Sequence, residues 1–190
     1  LDNSATTQPL AEVIASVNHM MAENYGNPSA LHRRGLEAEH ALKKARSQVS
    51  ALFNTGNHDL IFTSGGTESN NLAIFGSLAT ARDTSRPLVT SSIEHPSVLN
   101  IFKHLEKIGR KVIYIRTDPQ GFVDLEDLKK ALDEHPALVS IMTVNNEIGS
   151  IQPIAEIARL IETSDNKPVF HTDAVQAFGK IPLQSTAVDL

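Results

Sequence analysis

The sequence has no cysteine among its 190 residues, so the chain forms no disulfide bond and has no thiol of its own. It also lacks an excess of positive charge, because 17 Lys and Arg against 22 Asp and Glu give a net charge of -5. This balance argues against a protein held on nucleic acid by its phosphates. No apolar run approaches the roughly 20 residues that span a membrane, and the initial LDNSATT is unlike a signal peptide. The eight His are scattered, so we expect a cytoplasmic protein with no metal, membrane or nucleic-acid partner.

What the sequence does contain is helical periodicity at its start, followed by alternating strand and helix patterns. Apolar residues recur at helical spacing over residues 10–21 and 36–53. The predicted strands are 60–63, 88–91, 111–115, 138–144 and 169–172, and the predicted later helices are 67–81, 96–108, 125–134 and 154–162. This alternation predicts an α/β fold with a mainly parallel sheet covered by helices on both faces and preceded by N-terminal helices. Ligands of such sheets bind beyond the carboxyl ends of the strands.

A glycine pair marks the first strand-to-helix junction, in the string FTSGGTESNN at residues 62–71. Gly65, Gly66 and Thr67 lie between the predicted strand and the predicted helix, where backbone N–H groups and the helix dipole favour an anion such as phosphate. A tight turn with Thr67 as an ordinary N-cap explains the same residues equally well. The spacing matches neither the Walker loop nor the dinucleotide-binding motif.

Polar side chains also follow other predicted strands. His95, in the string Glu94-His95-Pro96, is suited to stacking on a planar ring or to moving a proton, although a lone histidine at a strand end is more often structural. Asn146 belongs to the string Asn145-Asn146-Glu147, and adjacent amides commonly form turns.

Asp173 ends a strand predicted to be buried, and Gln176 lies three residues further on. A buried carboxylate needs a partner, which can be a backbone amide, Lys180 or a cationic ligand atom such as a pyridinium nitrogen. Four successive βα units each place a group suited to a phosphate, a ring or a proton at one edge of the sheet. We therefore favour a ligand over four independent structural roles.

These strings resemble those of the cysteine desulfurases, a branch of the class V aminotransferases among the fold-type I enzymes that use pyridoxal 5'-phosphate (PLP). The resemblance runs in order along essentially the whole chain, and its strings are LDNSATT, YGNPSALHRRG, FTSGGTESNN, IEHPSV, VNNEIGSIQP and HTDAVQAFGK. The form YGNPSALHRRG resembles the branch that serves iron–sulfur cluster assembly. The resemblance implies a PLP-binding large domain at residues 58–190, preceded at residues 1–57 by a helical segment that belongs to the small domain and the pocket.

The resemblance also implies how the candidate residues bind the cofactor. Gly66 and Thr67 would bind its phosphate, and His95 would stack on the pyridine ring and relay protons. Asp173 would pair with the pyridine nitrogen. His95 and Asp173 are therefore the expected catalytic residues.

Two further residues and the reaction follow from the same resemblance. Gln176 would donate a hydrogen bond to the phenolate oxygen of the ring, and Asn146 would contact both the cofactor and the bound amino acid. The expected reaction converts L-cysteine to L-alanine and passes the sulfur to an enzyme cysteine as a persulfide. The expected partners are a second copy of the chain in a homodimer and a sulfur-acceptor or scaffold protein.

The sequence departs from the family pattern at two functional positions. It ends before the Ser-x-His-Lys string whose lysine forms the Schiff base with PLP, and it has no cysteine to carry the persulfide. We therefore expect the large domain to be incomplete at its C-terminus and this chain to be inactive by itself, with a C-terminal segment or chain supplying both groups. The alternatives are a selenocysteine lyase, another class V lyase or aminotransferase, and a non-catalytic scaffold.

Overall fold

The computed structural model describes residues 3–53, 60–81, 83–183 and 188–190. The chain forms two units, Leu1–Ile61 and Phe62–Leu190. The domain boundary predicted between residues 57 and 58 lies outside the described residues. Within the described part of the chain, no helix combines the length and the apolar character needed to cross a bilayer.

The first unit contains the two helices predicted from the apolar periodicity, α1 (Ala11–Ala22) and α2 (Arg33–Leu52). Helix α2 begins three residues earlier than predicted, because His32 caps it by accepting the Gly35 N–H at Nδ1, 3.2 Å away. Helix α1 has no buried residue, and Val13 and Val17 on its apolar side are 50% and 51% exposed.

The string YGNPSALHRRG, which runs from the loop after α1 into the first turn of α2, folds tightly on itself. A Cβ atom at Gly26 would lie 2.1 Å from the carbonyl oxygen of Arg34, and a Cβ at Gly35 would lie 2.1 Å from that of Ala30. The Arg34 guanidinium lies over the Tyr25 ring at 5.0 Å. Both glycines are therefore required by close approaches of the backbone, which accounts for their place in the string.

The described residues of the second unit form an α/β structure built on four parallel strands in the order β2-β1-β3-β4. The strands are β1 (Leu88–Ser91), β2 (Val112–Ile115), β3 (Leu138–Ser140) and β4 (Val169–His171). The helices are α3 (Gly66–Thr80), α4 (Pro96–Lys107), α5 (Leu125–Leu132) and α6 (Ile154–Glu162). Helices α4, α5 and α6 are the crossovers between successive parallel strands, so the predicted α/β class is confirmed.

Helices cover both faces of this sheet. Successive residues of a strand point to opposite faces, and Leu88 of β1 packs in one buried cluster with Phe102 of α4, whereas Val89 packs in another with Leu128 of α5 and Ile157 of α6. All five side chains are fully buried. The predicted arrangement of a parallel sheet between two helical layers is therefore confirmed.

One strand prediction was wrong altogether, and another was too long. Residues 60–63 form no strand in the structure, and Ile61 and Phe62 are 62% and 51% exposed, because β-rich composition yields a strand only where a neighbouring strand pairs with it. The strand predicted at 138–144 ends at Ser140. Beyond it the chain turns back, with Val144 in an isolated antiparallel bridge to Ile151.

Candidate active site

The carboxyl ends of β1, β3 and β4 meet at one edge of the sheet, because these strands are parallel neighbours. His95 follows β1 and is the N-cap residue of α4. Asp173 follows β4, and its carbonyl oxygen accepts the backbone N–H of Thr143, beyond β3, at 2.9 Å. His95 and Asp173 therefore lie at the same edge of the sheet.

The carboxylate of Asp173 is buried and is held by two donors. Its Oδ1 accepts the Val175 N–H at 3.0 Å, and its Oδ2 accepts the side-chain amide of Asn70 at 2.8 Å. Lys180, one of the partners considered from the sequence, donates instead to Gln176 Oε1 at 2.9 Å. Because each carboxylate oxygen can accept two hydrogen bonds, Asp173 retains the capacity to bind a cationic N–H group.

Asn70 also connects Asp173 to His95. Its side-chain amide donates to Ser97 Oγ at 2.9 Å, and Ser97 Oγ lies 2.8 Å from His95 Nδ1. The backbone N–H of Ser97 donates to the same Nδ1 at 3.1 Å. Nδ1 is therefore an acceptor, and this hydrogen-bond pattern assigns the proton of the neutral ring to Nε2.

The N-terminus of α3 has the features of an anion site. Its N-cap residue, Gly65, provides no side-chain cap, and the first hydrogen bond of the helix runs from Ser69 N–H to the Gly65 carbonyl at 3.0 Å. The earlier N–H groups, including those of Gly66 and Thr67, have no acceptor within the helix. Thr67 lies inside α3, so the alternative that it serves as the N-cap is wrong.

The start of α3 lies against the loop that follows Asp173. A Cβ atom at Gly66 would be 2.9 Å from Val175 Cγ2, so the absence of a side chain allows this approach. The preceding turn is held by Glu68, whose Oε2 accepts the backbone N–H and the hydroxyl of Ser64 at 2.7 and 2.6 Å. These two hydrogen bonds lower the pKa of the Glu68 carboxyl.

For Asn146 and Gln176 the hydrogen bonds described are to sequence neighbours. Asn146 donates to Glu147 Oε1 at 3.0 Å, and Gln176 accepts from Lys180. The adjacent Asn145 is the buried member of the pair, and its amide donates to the Ile93 carbonyl at 2.9 Å. The structure therefore connects Gly66, His95 and Asp173 through packing and hydrogen bonds, whereas the roles of Asn146 and Gln176 stay predictions.

Sequence reasoning missed three polar residues of this edge, Asn70, Ser97 and Glu94. A signal for Asn70 was present, because it lies four residues before the fully buried Ile74 and so shares its helix face. The signal for Glu94 was its position in the short turn between a buried strand and the helix-opening Pro96. None of the described residues forms a cluster of His, Asp and Glu able to hold a metal ion.

Glu94 is a carboxyl group buried directly beneath this edge. It is 3% exposed, and its Oε1 accepts the Ser91 hydroxyl at 2.6 Å and the Met142 N–H at 2.8 Å. Burial raises the pKa of Glu94 to about 8, the two hydrogen bonds oppose this, and the charge of Asp173 adds to it. The folded protein therefore holds Glu94 in its neutral form at pH 7.

His171 of β4 is perturbed in the opposite sense. Burial lowers its pKa to about 4, against a smaller opposing effect of the Asp173 charge. Its Nδ1 lies 2.8 Å from the Ser140 hydroxyl. The ring is therefore neutral across the physiological range and serves the packing of β3 against β4.

We expect Glu94→Gln to change how stability depends on pH. Between the ordinary pKa of 4.5 and the raised value of about 8, the folded state holds one proton more than the unfolded state, so the contribution of neutral Glu94 is lost as pH rises. His171 contributes the opposite slope only below its ordinary pKa of 6.5. Glutamine keeps the acceptor at Oε1 but does not ionise. The free energy of unfolding of the variant should therefore rise by roughly 2 to 4 kcal/mol relative to that of the wild type between pH 5 and pH 8.

Urea unfolding at several pH values measures this effect. Glu156→Gln, at an exposed position of α6, is the matched control and should follow the wild type. If the free energy of unfolding of Glu94→Gln declined above pH 6.5 as steeply as that of the wild type, Glu94 would not be the group responsible.

The whole chain matches a known family. All 190 residues match the family model described as aminotransferase class-V, so the chain belongs to the class V aminotransferase family. Cysteine desulfurase 2 of Trichormus variabilis is 44% identical over 192 residues, which cover 100% of this chain and 48% of that protein. The resemblance to cysteine desulfurases predicted from the sequence motifs is therefore confirmed.

Solved structures of relatives agree with this assignment. A NifS-like protein superposes with a TM-score of 0.91 at 39% identity, covering 96% of this chain and 50% of that one. The structure of SspA in complex with cysteine gives a TM-score of 0.89 at 35% identity, covering 99% of this chain and 54% of that one. The fold is thus that of the fold-type I PLP enzymes, and the chain spans about half the length of the relatives it matches.

Proposed function

We propose that this chain forms the greater part of the PLP site of a cysteine desulfurase, which converts L-cysteine to L-alanine and leaves the sulfur as a persulfide on a cysteine thiol. The observation that carries the proposal is the hydrogen-bonded series Asp173, Asn70, Ser97 and His95 at the carboxyl edge of the sheet. The start of α3, with its uncapped N–H groups, packs against the loop after Asp173. When bound, PLP supplies a protonated ring that withdraws electrons from the substrate amino acid.

The residues at this edge fit the chemical groups of PLP. The N–H groups at the start of α3 and the hydroxyl of Thr67 suit a phosphate dianion. The buried carboxylate of Asp173, which keeps acceptor capacity on both oxygens, suits the positive N–H of a pyridinium ring. The planar ring of His95, fixed through Nδ1 by Ser97, suits stacking on the cofactor.

Each residue then has a defined task in the proposed reaction. Asp173 holds a proton on the ring nitrogen, because a buried negative charge stabilises the protonated form. His95 exchanges protons through Nε2, since its Nδ1 is engaged by Ser97. The hydrogen bond of Gln176 to the phenolate oxygen and the contacts of Asn146 with cofactor and substrate rest on the family resemblance.

The lysine that bonds to PLP and the thiol that receives sulfur come, in this proposal, from a C-terminal segment or chain. The Leu190 N–H donates to the Phe170 carbonyl at 3.1 Å, and the Leu190 carbonyl accepts the Thr172 N–H at 3.2 Å. This is the pattern of a strand running parallel to β4. A segment that continued in this direction would reach the edge at Asp173, which supports the proposal.

Other parts of the proposal rest on the family resemblance alone. They are the homodimer, the sulfur-acceptor or scaffold protein of iron–sulfur assembly or another sulfur-transfer pathway, the cytoplasmic location, and the assignment of residues 1–57 to a small domain. The family resemblance likewise supports the incomplete large domain at residues 58–190 and the inactivity of the chain alone.

Binding of the cofactor phosphate tests the site directly. We expect the chain to bind PLP reversibly and more tightly than pyridoxal, which lacks the phosphate. Thr67→Ala should weaken PLP binding by about tenfold to a hundredfold, because a hydrogen bond to a charged group is lost, and should leave pyridoxal binding unchanged.

The measurement is a titration followed by the absorbance of the cofactor. Thr80→Ala, at the other end of α3, is the matched control, since its hydroxyl donates to the Ser77 carbonyl within the helix. Equal affinity for PLP and pyridoxal in the wild type would refute a phosphate site at the start of α3.

A further inference from the structure

Asn70 is a buried amide whose two hydrogens are both used at the candidate site. It is 4% exposed, and its Nδ2 donates to Asp173 Oδ2 at 2.8 Å and to Ser97 Oγ at 2.9 Å. Asp173 and Ser97 lie on different elements, after β4 and in the first turn of α4. One side chain of α3 therefore joins the two parts of the edge that carry Asp173 and His95.

The chemistry of the partners determines how this amide is oriented. An ionised carboxylate only accepts hydrogen bonds, so the nitrogen of Asn70 must face Asp173. The bond from Asn70 to Asp173 is charge-assisted and therefore stronger than a bond between neutral groups. The amide thus has one orientation, set by the aspartate.

Without Asn70, the local Val175 N–H would be the one donor among the described residues that still holds the carboxylate of Asp173. Val175 lies two residues after Asp173 in the same loop, and its N–H bonds to Oδ1 and not to Oδ2. The terminal torsion angle of an aspartate side chain has a broad distribution, so a single hydrogen bond to one oxygen allows the carboxylate to rotate. The bond from α3 to Oδ2 is the second point of attachment that defines the carboxylate plane.

We propose that Asn70 is a positioning residue for the ring nitrogen of the cofactor, which holds the Asp173 carboxylate in the orientation that accepts the pyridinium N–H. This inference rests on the proposed function and goes beyond it by assigning a task to a residue that does not itself contact the ring nitrogen. Through Ser97 the same amide supports His95. One residue of α3 would therefore position both the carboxylate at the ring nitrogen and the imidazole that stacks on the ring.

The test compares two ligands that differ only at the ring nitrogen. The first is pyridoxine 5'-phosphate, whose alcohol cannot form imines with surface lysines, and the second is its 1-deaza analogue, with C–H in place of the nitrogen. Dissociation constants are measured by fluorescence titration for the wild-type chain, Asn70→Ala and the control Asn71→Ala. Asn71 is the adjacent amide on α3, which donates to the Thr67 carbonyl of its own helix at 2.8 Å.

Asn70→Ala should weaken binding of pyridoxine 5'-phosphate by about tenfold and leave the deaza analogue within about twofold of the wild type. A purely structural role would weaken both ligands by the same factor, and that result would overturn the inference. Tighter or unchanged binding of pyridoxine 5'-phosphate would overturn it as well, because it would mean that the donor of Asn70 only reduces the basicity of Asp173. Asn71→Ala should change the two affinities equally.

A second variant and a double-mutant cycle distinguish the expected effect from loss of folding. Asn70→Ser keeps a small polar group in the site but is too short to bridge to Asp173, so it should also lose the preference for the ring nitrogen. In an Asp173→Ala background, Asn70→Ala should have no further effect on that preference, because the two residues act as one unit.

The same cycle separates the two proposals. If Asp173→Ala leaves the preference for the ring nitrogen intact, the proposed function fails in its assignment of Asp173, and the inference fails with it. If Asp173→Ala abolishes the preference but Asn70→Ala does not, only the inference about Asn70 fails.

Discussion

Asp173→Ala, made in a longer protein that supplies the lysine and the thiol, is expected to reduce the formation of alanine from cysteine by roughly a thousandfold or more. The lost group is the negative charge that holds a proton on the cofactor nitrogen, and without that proton the ring no longer withdraws electrons effectively. Asp173→Asn should fail as well, because an amide has the shape of the carboxylate but not its charge. Both variants should remain folded, at a cost of about 1 to 3 kcal/mol for the unpaired amide of Asn70.

The measurement is the steady-state rate of alanine formation, together with the absorbance of the bound cofactor and a thermal unfolding curve. Asp165→Asn is a suitable control, because Asp165 is an exposed carboxylate in the turn between α6 and β4. An active Asp173→Asn enzyme with normal cofactor absorbance would contradict the proposed role of the charge.

The second large effect concerns the 190-residue chain by itself, which should form no alanine from cysteine and should carry no specific PLP label after borohydride reduction. The candidate site offers groups for the phosphate and the ring, but none of the nine lysines occupies the family's Ser-x-His-Lys context. Lys180, the first lysine after Asp173 in the sequence, is exposed and bonded to Gln176. When the C-terminal segment is added, one lysine outside this chain should carry the label.

Peptide mapping of the reduced protein, with and without the C-terminal segment, measures this outcome. Lysines on the surface can give scattered low-level labelling, so Lys180→Arg serves as the comparison and should leave the labelled site of the completed protein unchanged. Stoichiometric labelling of Lys180 in the isolated chain would refute both the predicted inactivity and the assignment of the PLP lysine to another segment.

Local sequence signals predicted most elements of the second unit. The periodicity at residues 154–162 predicted α6 with both of its ends, and the β-rich run at 88–91 predicted β1 as it stands. Such segments are decided by features a few residues apart, namely apolar spacing, caps and prolines. The prediction of a strand at residues 60–63 was wrong, because strand formation depends on pairing with a distant segment, which composition does not report.

The candidate site likewise contains residues that local sequence signals predicted and residues that they did not. The alternation of strands and helices already predicted that His95 and Asp173 follow parallel strands, and the parallel order of those strands then requires a common edge. No local pattern predicted that Asn70, 103 residues before Asp173, supplies the second donor to its carboxylate, which became visible in the folded chain. Only the tertiary structure likewise placed Glu94 in an environment where burial keeps it neutral. The reason is physical: a strand end is a local property of the chain, whereas a hydrogen-bond partner and a desolvated carboxyl exist only once distant elements pack together.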